Sequence, residues 1–171
     1  MTTKFAAYLA GLIFLAASAP GQATLIHFNV SLDGTQAGTV SPGTGFASLD
    51  LDTVANTLVV DLSFSGLLSP TTNAHIHCCA PPGVSAGVII PFVPPFVTGT
   101  TSGHLSNTFN LTAAQVSMVA SGLSYINIHT TLYPAGEIRG QIPAAVAEPA
   151  SLALIFAGLA VAGLMRRPRR V

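Results

Sequence analysis

Between Thr24 and Ile142, apolar residues recur at every second position in short runs, and Gly, Pro, Ser, Thr and Asn separate the runs. A period of two is the pleat of a β-strand with one face buried and one face wet, and a helix cannot satisfy it. Ile26, Phe28, Val30 and Leu32 alternate with His27, Asn29 and Ser31; Leu58, Val60, Leu62 and Phe64 alternate with Thr57, Val59, Asp61 and Ser63. Further strands are expected over Phe46–Leu51, Ala74–His77, Val88–Phe92, part of Thr100–Phe109, Ser124–His129 and Glu137–Ile142. Short strands at this spacing, joined by turn residues, build an antiparallel sandwich or a small barrel. One segment departs from the rhythm. Thr112 and Gln115 form a capping box, Val116, Val119 and Ala120 follow at helical spacing, and Gly122 can close the end, so a single short helix is expected there. Three prolines in Pro91–Pro95 exclude a helix or a central strand and place that segment in a loop or at an edge.

The chain has 171 residues, room for one modest domain, and its composition is uneven. Half of it is hydrophobic and 7% is charged. Lys4 precedes the first apolar run and Arg166, Arg167, Arg169 and Arg170 follow the last, so Arg139 is the one basic residue in between. Against Asp33, Asp50, Asp52, Asp61 and Glu137 it leaves the middle at a formal charge of −4. Such a surface has no clustered cations to displace phosphate counterions, which excludes nucleic acid as a partner.

The ends read as targeting segments. Residues 1–23 form a signal peptide: Lys4 supplies the positive start, Phe5–Ala17 the apolar stretch, and Gly21-Gln22-Ala23 the small residues before cleavage between Ala23 and Thr24. A second cut after Ala19 fits the small-residue rule but would leave Pro20 leading, and an uncleaved membrane helix is the structural alternative. At the other end, residues 144–171 carry Glu148, Pro149, Ala150 and Ser151, a hydrophobic helix expected over 150–165, and Arg166 and Arg167. That helix is shorter than the roughly 20 residues that span a bilayer, with its basic cluster held on the cytoplasmic side.

This three-part tail resembles the PEP-CTERM sorting signal of Gram-negative bacteria, with Ala147-Glu148-Pro149 where that family has Pro-Glu-Pro. The resemblance implies a precursor inserted in the membrane, transiently or as a retained anchor. It also implies handling by signal peptidase and an exosortase-type transpeptidase, and delivery to the cell envelope, outer surface or extracellular matrix. A simple tail anchor is the other reading.

The densest chemical cluster is Asn73-Ala74-His75-Ile76-His77-Cys78-Cys79. In a strand, His75 and His77 share a face with Cα atoms about 7 Å apart. In Tyr125-Ile126-Asn127-Ile128-His129, the histidine again opposes isoleucine. Were the two strands neighbours, His75, His77 and His129 could ligate zinc or copper, with Glu137 or a cysteine as the fourth ligand. The alternative is that they are structural polar residues bonded to backbone. Cys78 and Cys79 are the only cysteines, and the oxidising export route favours a vicinal disulfide over paired chains or free thiols. Gly83-Val84-Ser85-Ala86-Gly87 spells a nucleophile elbow, but it follows Pro81-Pro82 and runs into a strand rather than a helix, so it reads as a turn. Glu137 and Arg139 share a strand face and are expected to form an ion pair.

Ala74-His75-Ile76-His77, Tyr125-Ile126-Asn127-Ile128-His129-Thr130 and Pro134-Ala135-Gly136-Glu137-Ile138-Arg139-Gly140-Gln141-Ile142 together resemble the CHRD domain, first described in chordin and widespread in exported bacterial proteins. That family commonly has Gly-Pro after His-x-His, where this chain has Cys78-Cys79. The resemblance implies an immunoglobulin-like or superoxide-dismutase-like β-sandwich over 24–143 and an extracellular setting, and it carries no established activity, catalytic residue or cofactor. The expectation is therefore a noncatalytic envelope or matrix protein that binds exopolysaccharide or an envelope protein. The alternative is a metal-binding or redox protein built on the histidines.

Overall fold

The computed structural model describes residues 25–146 and 158–159. The expected signal segment, the expected cleavage between Ala23 and Thr24 and the expected sorting residues Glu148, Pro149, Ala150, Ser151, Arg166 and Arg167 lie outside the described residues. Gly158 and Leu159, within the expected tail helix, are helical, and among the described residues no helix is long and apolar enough to cross a membrane.

Eight strands and two helices follow in the order β1 (Leu25–Asp33), α1 (Gly34–Ala37), β2 (Thr44–Asp52), β3 (Thr57–Ser65), β4 (Thr71–Cys78), β5 (Gly87–Pro91), β6 (Gly103–Asn110), α2 (Ala113–Ala120), β7 (Tyr125–Thr130) and β8 (Ile138–Gln141). All pairings are antiparallel, in one curled sheet of order β5-β4-β7-β8-β1-β2-β3-β6. Two four-stranded halves meet at a single register pair, Asp33 with Arg139.

Alternation decides which face of each strand is buried. Phe28, Val30 and Leu32 of β1 stand in register with Leu49, Ala47 and Gly45 of β2, and Leu58, Val60 and Leu62 of β3 continue the same face. From the other half, Ala74, Ile76, Ile126, Ile128 and Ile138 join them in one continuous core. The curl brings the two edges together: Phe92, just past β5, stacks on Phe109 of β6 with ring centroids 5.2 Å apart, and Phe96 stacks on Phe64 at 5.5 Å. Helix α2 carries the expected capping box and buries Val116 and Val119. From its first turn, Gln115 Nε2 donates to Ile89 O of edge strand β5 at 2.7 Å, which occupies a carbonyl that would otherwise invite another strand.

Two expectations are corrected. A second helix, α1, forms where the Asp33 side chain accepts from Gln36 N, a cap too short to leave any apolar period in the sequence. Pro91 ends the edge strand β5 opposite His75, Phe92 N still donates to Ala74 O, and the chain then leaves the ladder, but the segment is not simply exposed: Phe92 is wholly buried and the following Phe96 nearly so. Proline removes a ladder donor without dictating which way its aromatic neighbours turn.

Candidate functional site

The sheet face opposite the core, across β4, β7 and β8, is polar yet mostly buried. His75 stands in register with Asn127 and Asn127 with Arg139; His77 stands in register with Tyr125 and Tyr125 with Gln141; Asn73 pairs with His129. These residues alternate with the isoleucines, so burying the isoleucines sends all of them to the other side. A second layer of chain covers them: α1, the loop 79–86 between β4 and β5, and the loop 131–136 between β7 and β8. Its backbone carbonyls meet the side chains. Ala86 O lies 2.9 Å from His77 Nδ1, Pro134 O 2.9 Å from His129 Nδ1, Val84 O accepts from Arg139 at 3.0 Å, and Ala135 O accepts from Asn127 Nδ2 at 3.0 Å.

A carbonyl can only accept, so Nδ1 of His77 and of His129 carries the proton, and Nε2 of each neutral ring presents a lone pair. His77 Nε2 is buried with no hydrogen-bond partner. His129 Nε2 lies 3.2 Å from His75 Nδ1, which therefore donates to it. One ligand nitrogen from each of His75, His77 and His129 falls within 4.8 Å of the others. Burial, and then the neighbouring His129 and His77, push the His75 pKa down from 6.5 to about 4. His77 is also lowered, chiefly by burial, which outweighs the opposing bond to Ala86 O. Both rings are thus neutral at neutral pH, the form that ligates metals.

The structure brings the three predicted histidines together and supplies no fourth protein ligand from the expected sources. Cys78 and Cys79 are joined to each other in a disulfide, and no free cysteine is present among the described residues. Glu137 is wholly buried at the foot of β8 and faces elsewhere. It accepts from Ser41 Oγ and Leu68 N, both at 2.6 Å, and from Thr130 Oγ1 at 2.7 Å. This also overturns the expected Glu137–Arg139 ion pair, since Glu137 precedes the first residue of β8 and turns away from Arg139. Among the described residues the basic side chains within 4 Å of a carboxylate are His27, beside Asp50, and His104, beside Asp61, both exposed. Ser85 lies in the covering loop with no hydrogen bond to an imidazole, in keeping with a turn rather than a nucleophile elbow.

Sequence reasoning placed Tyr125 on the histidine face but missed its role. Its ring stacks on His77 with centroids 4.8 Å apart and planes 2° from parallel, and the Arg139 guanidinium carbon lies 3.3 Å from the ring centroid on its other side. The available signal was that Tyr125 and Arg139, like the histidines, alternate with isoleucines on neighbouring strands.

A family model, the CHRD domain, matches residues 28–142, which take in most of the sheet. No curated protein and no solved structure matches the chain.

Proposed function

The chain belongs to the CHRD domain family, and we propose that it is an exported, noncatalytic envelope protein whose domain binds a zinc or copper ion through His75, His77 and His129. One observation carries the metal reading: backbone carbonyls hold the Nδ1 atoms of His77 and His129, which leaves Nε2 of each as the ligating atom in a cluster whose ligand nitrogens lie within 4.8 Å of one another. Metal-ligating histidines are oriented in this way, by a bond from the non-ligating nitrogen to a fixed acceptor. A tetrahedral ion with ligands at about 2.1 Å needs nitrogens about 3.4 Å apart, so the widest separation must contract by about 1.4 Å, within reach of side-chain rotation. His75 must also release its hydrogen bond to His129 and turn its own lone pair to the ion. Three protein ligands leave one position for water or a ligand.

Metal analysis after loading and exhaustive dialysis tests this reading. The expected result is one equivalent of zinc or copper per chain, lost in His77→Ala and His129→Ala and kept in His27→Ala and His104→Ala, whose rings lie in separate exposed pairs. Absence of stoichiometric metal in the folded wild-type protein would overturn it.

The export reading rests on residues 1–23 and on the sorting-type tail 144–171. Mass spectrometry of the exported protein should show loss of the segment beyond Glu148-Pro149, and an intact Val171 would leave the tail-anchor reading instead. The sandwich reading, immunoglobulin-like or superoxide-dismutase-like, is supported by the single register pair that links the two halves of the sheet. An exopolysaccharide or an envelope protein is the partner this setting favours.

A further inference from the structure

Beside the histidines, a cavity of about 200 Å³ opens between α1, the covering loop and the sheet, lined among others by Gln36, Ser85, Tyr125, Asn127 and Arg139. Arg139 is its charged wall. It is 94% buried, with relative exposure of 6%, and it is the one Lys or Arg between Leu25 and Val146. Among the described residues no carboxylate lies within 4 Å of it, even though the domain carries an excess of acids. Its protein hydrogen bonds use two of the five guanidinium donors: one to Val84 O at 3.0 Å and one to Gln141 Oε1 at 3.3 Å.

A buried cation without a counter-charge is costly, and cation–π contact with Tyr125 returns only part of that cost. Glu137, two residues away and also wholly buried, could have neutralised it but is turned to Ser41, Leu68 and Thr130. The positive charge thus faces a cavity with no carboxylate beside it.

We propose that this cavity is a carboxylate-binding site in which Arg139 pairs with the carboxylate and Tyr125 fixes the guanidinium plane from behind. A planar fork held flat against a ring keeps its outer N–H donors in the geometry a carboxylate takes up in pairs. Ser85 and Asn127, whose Oδ1 has no hydrogen-bond partner, line the rest of the cavity and are placed to meet hydroxyl groups on the body of the ligand, while Gln36 is held by Ser31, Asp33 and Gln141 and shapes the wall. The shared chemistry is the carboxylate, and it has two sources in an envelope: a small free organic acid, or the uronic-acid carboxylate of a polysaccharide.

Titration of the full-length protein with acetate, succinate and a uronic-acid oligosaccharide, with uncharged oligosaccharide as the control, tests the site. The readouts are calorimetry and the NMR signal of the Arg139 Nε–H. The expected result is saturable binding of at least one of the three carboxylates at one per chain, movement of the Nε–H resonance, and at least a roughly tenfold loss of affinity in Arg139→Gln. Tight binding of the oligosaccharide alone identifies the polysaccharide source, and equal or tighter binding of the free acids identifies the other. An Arg139 Nε–H that does not move up to about 50 mM of every carboxylate overturns the proposal, and that measurement needs no variant to fold. So does an uncharged control that binds as well as the uronic acid. The two readings separate in His129→Ala, which leaves the Tyr125–His77 stack in place: the folded variant should lose metal and still bind carboxylate, so failure of one reading leaves the other standing.

Discussion

Replacing Glu137 should be among the most damaging single changes to this fold, and the structure sets the size of the effect. The carboxylate is wholly buried and accepts three hydrogen bonds, from Ser41 Oγ, Leu68 N and Thr130 Oγ1. These donors come from the loop before β2, the loop after β3 and the end of β7, so one side chain ties three separate stretches of chain to the start of β8. Hydrogen bonds to a charged group contribute about 1.5–3 kcal/mol each, and a buried donor left alone costs about 1–3 kcal/mol. Because the three share one acceptor group they do not add fully, and Glu137→Ala should cost about 4 kcal/mol or more. Glu137→Gln keeps the shape and an acceptor oxygen but turns one position into a donor, and should cost about 2 kcal/mol.

The pH dependence follows from the same contacts. Burial alone would raise the Glu137 pKa above its ordinary 4.5, but the bonds from Ser41, Leu68 and Thr130 outweigh it and the net shift is downward. A carboxyl with a depressed folded pKa contributes stability above its unfolded value and loses that contribution as pH falls through the folded value. The gap between wild type and Glu137→Gln should therefore be full at pH 7 and shrink progressively once the pH drops below about 4.5. Urea unfolding at a series of pH values reads both effects. A Glu137→Ala loss under about 1 kcal/mol, or a wild-type-to-Gln gap that stays constant through the acid range, would refute this account of the carboxylate.

Other changes probe other parts of the fold. Thr112→Ala removes one half of the capping box of α2 and should cost about 1 kcal/mol in urea unfolding; no loss would mean that packing of Val116 and Val119 alone holds the helix. Gly140→Ala would place a Cβ 2.6 Å from Ser31 O and 2.7 Å from a methyl of Val30, where the two halves of the sheet meet, and should destabilise by about 2 kcal/mol or more; a neutral outcome would show that the junction can spread. The exposed pair on β1 and β2 offers a test of local charge. The hydrogen bond to Asp50 raises the His27 pKa above 6.5, so its NMR titration midpoint should fall in Asp50→Asn, and an unchanged midpoint would exclude the contact in solution.

Most of the sheet was legible because alternation is a direct physical record of a half-buried strand. Phe28, Val30 and Leu32 had to share a face, and so did Leu58, Val60 and Leu62, whatever their neighbours were. The α2 cap was legible for a similar reason, since Thr112 and Gln115 satisfy one another's backbone within a single turn. What failed was inference that needed the third dimension. Glu137 and Arg139 share parity in the sequence, but parity means a common face only while both residues lie in the strand, and β8 begins at Ile138. Phe92 lies among prolines that restrict it to a loop or a sheet edge and say nothing of a core.

The histidine site marks the boundary between the two kinds of information. Period two puts His75 and His77 on one face and His129 on the face opposite Ile128, but it cannot say that β4 and β7 pair, nor that Asn73 stands opposite His129. Chemical competence depends further on atoms that leave no pattern at all. Carbonyls of Ala86 and Pro134 fix two ring tautomers, and both belong to irregular loops. A strand that merely presented three imidazoles to water would let each ring turn and protonate independently. Covered by those loops, the rings are oriented and close, so the loops 79–86 and 131–136 are as much a part of any metal site as the ligands. Loop substitutions that displace either carbonyl should therefore weaken metal binding while leaving all three histidines in place.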